Sequence, residues 1–283
     1  MQLHKIFAGT AQAASRWIVL AVVGTYLALA GCASQPRALQ DTPETADATA
    51  QTANQNQAHN TGLASWLTAS TAPASSQPAH RAKGWHHYEF PGKRATHYEF
   101  TSKDMRNVVA VNAASSASLL RQNVRIEPAQ LAHLKFSWQV PELIANADLG
   151  ARDLADSPVR IVLAFEGDRS RFSAKNAMLS ELSHALTGEP MPYATLMYVW
   201  CNTRAPGSVI TSPRTDRIRK IVVESGAKNL NQWLDYERDI RKDYEKAFGE
   251  APGALVAIGI MSDSDNTGTT TRAWYGPVQL AGP

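Results

Sequence analysis

Cysteine is scarce in this chain: two occur among 283 residues, Cys32 and Cys201. Cys32 belongs to an N-terminal export pattern described below, which leaves Cys201 without a partner. The sequence therefore predicts no intramolecular disulfide in the processed chain. Because Cys201 directly follows the apolar run 196–200, we expect it to be a small buried apolar residue rather than a reactive thiol.

An excess of charge is also lacking. The formal net charge is +3, and Lys5 and Arg16 of the export segment account for two of these charges, which leaves +1 for residues 33–283. Nucleic-acid-binding domains and polybasic membrane patches depend on a pronounced positive excess. We therefore expect no nucleic-acid partner.

Catalytic signatures are missing as well. The sequence has no Gly-x-Ser-x-Gly elbow, no phosphate-binding glycine loop and no His-Glu-x-x-His pair. His86, His87 and His97 lie near one another but have no cysteine beside them, and we interpret them as surface residues rather than as a metal site. No residue is assigned a catalytic role, and the sequence favours a protein that is not an enzyme.

The N-terminus has the features of an export segment. The apolar run 17–29 is shorter than the about 20 residues of a membrane-spanning helix. It ends in Leu29-Ala30-Gly31-Cys32, which resembles the lipobox of bacterial lipoproteins; the alternative is an uncleaved anchor with a chance cysteine. The resemblance implies that residues 1–32 are a signal peptide and that Cys32 attaches the mature protein to a membrane through its acyl chains.

The residues after Cys32 predict the membrane to which the protein is sorted and a flexible connection to the folded domain. Ala33, rather than an aspartate, follows Cys32, which in such lipoproteins implies the outer membrane, with the domain facing the periplasm. Residues 33–82 are rich in Ala, Gln, Thr and Ser, and we expect a disordered, flexible tether spanning on the order of 38 Å. The apolar island 62–67 within it is expected to dock on either the folded domain or the membrane.

Residues 83–283 are enough for one well-packed domain. About ten short apolar or alternating runs predict a mainly β fold, a two-sheet antiparallel β-sandwich or jelly roll. The echo of 87–90 in 97–100 across a Pro-Gly turn predicts a β-hairpin. The other predicted strands are 107–111, 118–126, 134–140, 159–165, 195–201, 218–224, 232–240, 255–261 and 272–280.

Two short helices are predicted between the strands. The first covers 173–186 over a sheet edge, capped by Ser173 and ended by Gly188. The second covers about 241–248. The apolar face expected for the first helix consists of Ala174, Met178, Leu182 and Ala185.

Three stretches resemble signatures of the DUF3047 family of bacterial envelope proteins. They are 194–200 (ATLMYVW), 243–249 with its Asp-Tyr and Ala-Phe-Gly, and 261–276 from MSDSDNTG to AWYG. The likeness covers roughly 119–280 and implies location and fold rather than activity, since the family has none established. Ser264 stands where members commonly have threonine, and Pro277 where they have aspartate, so no carboxylate acts at 277. A looser likeness to galactose-binding-like jelly rolls, many of them carbohydrate-binding modules, is a fold analogy only.

The polar loop 261–268 is the first candidate site. Asp263, Asp265 and Asn266 offer the oxygen ligands that suit Ca²⁺. An EF-hand starting at Asp263 is excluded, because its twelfth position is Trp274. Further carboxylates for a metal would come from Asp148, Asp153 or Asp156.

Two interpretations of this loop compete. The one we favour is a turn whose Asp and Asn side chains bond their own backbone. The other is a ligand site formed by Asp263, Asp265, Asn266 and Asp156 together with one ring of the adjacent pair Trp274 and Tyr275, which face opposite ways on a strand. Trp138, Tyr198, Trp200 and Trp233 could join this pair in an aromatic platform for sugar rings, but most of these aromatic residues lie in apolar runs and are expected in the core.

The sequence favours a membrane-anchored envelope lipoprotein that binds a glycan or another envelope ligand without catalysis. One alternative is a carbohydrate-active enzyme that uses Asp263 or Asp265 with a distant carboxylate. The other is a structural or assembly lipoprotein that contacts another envelope protein. The basic run Arg160, Arg204, Arg214, Arg217 and Arg219 is interpreted as a solvated strand edge and loop rather than as a site for an anionic glycan.

Overall fold

The structure, a computed structural model, describes residues 66–70 and 84–281. All of them belong to one compact unit, Thr45–Pro283. The predicted signal peptide, Cys32 and most of the predicted tether lie outside the described residues. No helix among the described residues is long and apolar enough to cross a membrane.

Short strands make up most of the described chain, because runs of alternating or β-branched residues are separated by turn residues. The strands are β1 (His86–Glu89), β2 (His97–Lys103), β3 (Arg106–Ala114), β4 (Ser118–Ile126), β5 (His133–Gln139), β6 (Ser157–Phe165), β7 (Ala194–Cys201), β8 (Val209–Thr211), β9 (Ile218–Ser225), β10 (Leu234–Asp239), β11 (Leu255–Asp263), β12 (Thr270–Tyr275) and β13 (Gln279–Leu280).

These strands form two sheets, which confirms the predicted mainly β sandwich. The seven-stranded sheet has the order β1-β4-β11-β6-β7-β9-β8. The six-stranded sheet has the order β10-β5-β12-β3-β2, and β13 pairs with β5. One pair departs from the expected antiparallel arrangement: β9 runs parallel to β7. The short β8, absent from the sequence prediction, reverses the chain once more before β9, so β9 returns in the direction of β7.

The predicted hairpin of 87–90 with 97–100 is wrong. β1 pairs with β4 in the seven-stranded sheet, whereas β2 pairs with β3 in the six-stranded sheet. Both strands form, but the Pro-Gly segment between them carries the chain from one sheet to the other. The cause is non-local: each strand finds a longer antiparallel neighbour further along the chain.

The core lies between the sheets. Three aromatic residues expected there, Trp138, Tyr198 and Trp200, are fully buried or nearly so, and so is Tyr275. A smaller apolar cluster lies on the outer side of the seven-stranded sheet, where Leu149 of the β5–β6 connection covers strand residues. Cys201 belongs to this cluster and is buried, as predicted.

Both predicted helices are confirmed. Helix α1 (Ala174–Thr187) begins after Ser173, whose hydroxyl accepts the Asn176 N–H at 3.3 Å, and it ends at Gly188 in the left-handed conformation. Helix α2 (Ile240–Phe248) begins after Asp239 and ends at Gly249.

The predicted buried face of α1 is wrong. Met178, Leu182 and Leu186 are 63%, 52% and 61% exposed, while Asn176 and Ser180 are buried. The Asn176 amide donates to Asp216 at 2.7 Å, and its oxygen accepts from the Thr215 hydroxyl at 2.7 Å. The helix turns its polar side inward, where Asn176 bonds to the buried Thr215, and an apolar stripe faces outward.

Part of the apolar island packs on the sandwich. Residues 66–69 are helical. Trp66 has no exposed surface and meets the Trp85 ring edge-on, with centroids 4.9 Å apart. The tryptophan of the island therefore contributes to the core of the folded domain.

Candidate functional site

The polar loop that follows β11 is anchored by a buried ion pair. Asp263 and Arg160 lie on the neighbouring strands β11 and β6, and the Arg160 Nε and Nη2 each donate to one Asp263 oxygen at 2.9 Å. The Ser157 N–H adds a bond of 3.0 Å to Asp263 Oδ1. Burial raises the pKa of the Asp263 carboxyl, and the Arg160 charge opposes that shift. Arg160 is thus a buried structural cation and not part of a solvated edge.

Asp156 holds the tip of the same loop. Its two oxygens accept the N–H and the amide of Asn266, at 3.3 and 2.7 Å, and the N–H and the hydroxyl of Thr267, both at 2.7 Å. This buried carboxylate therefore has four donors, all from the loop that the sequence singled out. This differs from the favoured turn, in which the loop's own Asp and Asn side chains bond its backbone: the carboxylate that accepts the loop N–H groups is Asp156, from the β5–β6 connection.

Asp265 completes a group of three carboxylates. It forms an ion pair with Lys93 of the β1–β2 connection. One oxygen each from Asp156, Asp263 and Asp265 lie within 4.8 Å of one another. A Ca²⁺ ion takes six to eight oxygen ligands, and the oxygens here already accept bonds from the protein's own donors. Through these bonds the three carboxylates connect four segments of the fold: the loop after β11, strand β6, the β5–β6 connection and the β1–β2 connection.

The adjacent pair Trp274 and Tyr275 divides between the two faces of β12, as expected for a strand. Tyr275 is buried, and its hydroxyl donates to the Met261 carbonyl at 2.6 Å and accepts the Arg160 N–H at 3.0 Å. Burial raises the pKa of the Tyr275 hydroxyl. Trp274 is half-buried on the outer face of the six-stranded sheet.

A second half-buried tryptophan lies on that outer face. On one side of β5, Trp274 pairs with Gln139. On the other side, Leu234 of β10 pairs with Trp138. Trp233 precedes Leu234 and therefore lies opposite Gln139. The backbone positions of the two tryptophans are thus separated by one strand, about 10 Å at the usual strand spacing.

A basic side chain lies over each of the two indole rings. The Lys103 Nζ lies 4.4 Å from the Trp274 ring centroid, and the Arg106 guanidinium lies 5.0 Å from that of Trp233. The Trp233 Nε1–H donates to Asp104 at 3.0 Å. These cations come from the tip of the β2–β3 hairpin. We call Trp233, Trp274, Lys103 and Arg106 the tryptophan patch.

A groove of about 660 Å³ adjoins the tryptophan patch at Arg106. It opens where β12 ends and leaves β5 and β3 apart, and we call it the sheet groove. Arg106 and Asp235 form an ion pair of 3.0 Å within it, and Lys135 lies 3.6 Å from Glu237. The polar side chains that line it are Arg106, Asn107, Lys135, Ser137, Asp235, Glu237 and Gln279.

A second cleft, of about 460 Å³, lies at the sandwich edge beside β1 and β2. We call it the edge cleft, and its lining combines aromatic residues with the three histidines His86, His87 and His97. His87 Nε2 lies 2.7 Å from the Ser118 hydroxyl, and His86 Nε2 accepts from Arg121 at 3.1 Å. A ring nitrogen of His86 and one of His87 are thus engaged by the fold, while all three histidines line the cleft. The lining residues are Leu67, Trp85, His86, His87, Thr96, His97, Tyr98, Phe100 and Leu120.

The sequence singled out some of these residues and missed others. It placed Asp156 with the acidic loop and Trp274 beside a site, but it put Trp233 in the core and did not single out Lys103, Arg106 or the groove. One signal was available for Trp233. It precedes the alternating run Leu234-Asp235-Tyr236-Glu237, in which every second residue is charged, as on a strand with one solvated face.

Comparison with known proteins gives a family and a distant fold likeness. The family described as "Protein of unknown function (DUF3047)" matches residues 83–279. A search of curated proteins returns no match. Among solved structures, the chain is similar to the xyloglucanase domain of NopAA, a type three effector from Sinorhizobium fredii in complex with cellobiose. That match has 10% identity and a TM-score of 0.36, covering 74% of this chain and 100% of the other.

Proposed function

Since this chain belongs to the DUF3047 family, whose function is unknown, we propose a role from the geometry of its site. The described domain is a non-catalytic module that binds an envelope glycan on the outer face of the six-stranded sheet. The tryptophan patch and the sheet groove together form the binding surface.

One observation supports this proposal most directly: two half-exposed indoles lie on the same face of one sheet beside a polar groove. A sugar ring has apolar C–H faces that stack on an indole, and hydroxyls that bond to charged and amide groups. The Lys103 cation over Trp274 is an exposed cation–π contact worth about 0.5–1 kcal/mol, so a sugar displaces it at small cost.

The charge of the groove favours a neutral or mixed-charge glycan. Arg106 and Lys135 are balanced there by Asp235 and Glu237, each within an ion pair. A strongly anionic polymer would meet the two carboxylates, and a cationic one the two basic groups. Cell-wall chains of N-acetylated sugars fit this balance, since their acetamido groups donate and accept hydrogen bonds.

The location of the module is part of the proposal. The motif Leu29-Ala30-Gly31-Cys32 supports a lipid anchor at Cys32, and Ala33 supports the outer membrane, with the domain facing the periplasm. A tethered module of this kind would meet cell-wall glycan within reach of its anchor. The proposal assigns no catalytic step, and both oxygens of Asp263 are engaged by Arg160.

The test is calorimetric titration of the protein with chitobiose and chitohexaose, soluble oligomers of β-1,4-linked N-acetylglucosamine. We expect the hexasaccharide to bind, and Trp274→Ala to weaken it about tenfold or more, as loss of a central aromatic contact does. Trp233→Ala should act in the same direction, and Lys103→Ala should bind at least as well as the wild type. Absence of heat at millimolar sugar with both oligomers and with solubilised cell-wall fragments would refute the proposal.

A second candidate, an assembly lipoprotein, is supported by the stripe on α1. Met178, Leu182 and Leu186 recur every fourth residue and are all more than half exposed. Contiguous exposed apolar side chains are typical of protein-binding surfaces. A photo-crosslinking residue at position 182 should then capture a protein in cells. If neither position 182 nor position 178 captures a protein, the result would count against this function.

A further inference from the structure

Residues 66–70, which we call the plug, fill the open edge of the sandwich beside β1 and β2. The Trp66 ring meets Trp85 and Phe100 edge-on, with centroids 4.9 and 5.6 Å away. The Ser70 carbonyl accepts the Trp85 Nε1–H at 3.1 Å, and the Ser70 hydroxyl accepts the Val278 N–H at 3.1 Å. The plug therefore contacts both sheets.

The plug also lies between the two clefts. Leu67 lines the edge cleft, and Ala69 lines the sheet groove. Trp66 belongs to the core cluster, and the partly buried rings of Trp85 and Phe100 pack against it. Withdrawal of the plug would remove the wall common to both clefts and uncover these two rings.

Two features make the plug separable from the fold. It precedes residues 83–279, the part of the chain that the family shares, so the strands of both sheets are complete without it. The Trp66 Nε1–H is fully buried, yet no acceptor among residues 66–70 and 84–281 bonds to it. An unsatisfied buried donor lowers the net gain from burying the ring. Short segments that are bound to the fold by few contacts detach locally before the whole domain unfolds.

We propose that the plug gates the glycan site. With the plug in place, the sheet groove and the edge cleft are separate sites; with the plug withdrawn, they form one continuous site that accepts a longer linear glycan. The uncovered Trp85 and Phe100 then supply further stacking surfaces, and His97 supplies a polar group at the cleft. This inference rests on the proposed function, because the gated ligand is the same glycan.

The first test compares ligand length in the full-length protein. Trp66→Ala removes the side chain that holds the plug. We expect this variant to bind chitohexaose about tenfold more tightly than the wild type, because joined subsites bind one long ligand together. Its affinity for chitobiose, which fits a single cleft, should stay the same. Leu154→Ala is the matched control, since it truncates a partly exposed apolar residue that lines neither cleft. Equal changes for both oligomers, or no gain for the longer one, would overturn the gating.

The second test needs no sugar. The Val278 N–H bonds to the plug through Ser70, whereas the Gly276 N–H, two residues earlier, bonds to Ser137 of β5 at 3.0 Å. If the plug opens, hydrogen exchange at Val278 in the wild type should be much faster than at Gly276. Equal protection of the two amides would show that the plug does not open and would refute the gate. Fast exchange at Val278 without sugar binding would instead refute the proposed function and leave the gate intact.

Discussion

Arg160 and Asp263 show how a loop rich in acidic residues can serve the fold. The sequence presents Asp263 beside other oxygen donors, which suggests a ligand site. In the structure both of its oxygens are engaged by a buried guanidinium on the adjacent strand. The pair joins β11 to β6 beneath the loop, and the neighbouring Asp156 then fixes the loop tip.

Asp263→Asn should destabilise the protein strongly. The substitution leaves the Arg160 charge buried and unpaired, and breaking a buried pair in this way costs about 3–5 kcal/mol. Urea denaturation measures the loss. Asp265→Asn is the matched control: Asp265 is 10% exposed, but its partner Lys93 is 40% exposed, so the substitution leaves a solvated ammonium and should cost less than Asp263→Asn. Losses of equal size in the two variants would show that the Arg160 pair is not the anchor.

Lys220 makes stability depend on pH. It is buried, and its ammonium donates to the Leu149 carbonyl at 2.7 Å. Burial, with the Arg160 charge second, lowers the pKa of Lys220 from 10.5 to about 7; Asp263 opposes this shift, while Arg204 and Arg214 add to it. Between these two pKa values the unfolded chain binds more protons than the folded chain. The free energy of unfolding should therefore rise with pH from about 7 to 10.5, by about 1.4 kcal/mol per pH unit from this group.

Lys220→Met should remove that rise. Urea denaturation of the variant and the wild type at pH 7, 8 and 9 gives the comparison, with the exposed Lys228→Met as control. The wild type should gain stability relative to Lys220→Met as the pH increases, and relative to Lys228→Met it should not. Parallel profiles for all three proteins would exclude Lys220 as the source.

At the scale of elements, α1 shows that a periodic pattern fixes a helix better than it fixes its orientation. The predicted helix forms with the predicted caps. Its apolar stripe points outward because Asn176 on the opposite side bonds to Asp216 and Thr215. Strand β1 is a second example: the alternating pattern predicted the strand correctly, but the nearby Pro-Gly turn suggested β2 as its partner, whereas β1 pairs with β4.

Substitutions on the two faces of α1 test this orientation. Leu182→Lys should change the free energy of unfolding by no more than about 0.5 kcal/mol, as surface substitutions do. Asn176→Leu should cost about 1–3 kcal/mol, because it leaves the buried Thr215 hydroxyl without its acceptor. Thermal denaturation ranks the two variants. The opposite ranking would place the apolar stripe in the core.

At the scale of the whole molecule, the sequence predicted the sandwich and most strands, because alternation determines both the strand and its buried face. It did not predict which strands pair, since pairing depends on residues far apart in the chain. The candidate site was harder for the same reason. Trp138 and Trp274 both occur in alternating strands, and only the register that pairs Trp274 with Gln139, the neighbour of Trp138, places one inside and the other outside.

The plug also determines how the domain responds to mechanical load. A pull applied to the chain on the N-terminal side of residue 66 acts first on the Trp66 ring and the bonds of Ser70, before any strand pairing carries tension. Once these contacts yield, the force passes along the chain to β1, which is held by its pairing with β4. Tension on the N-terminal chain would thus open the edge of the sandwich while both sheets remain folded.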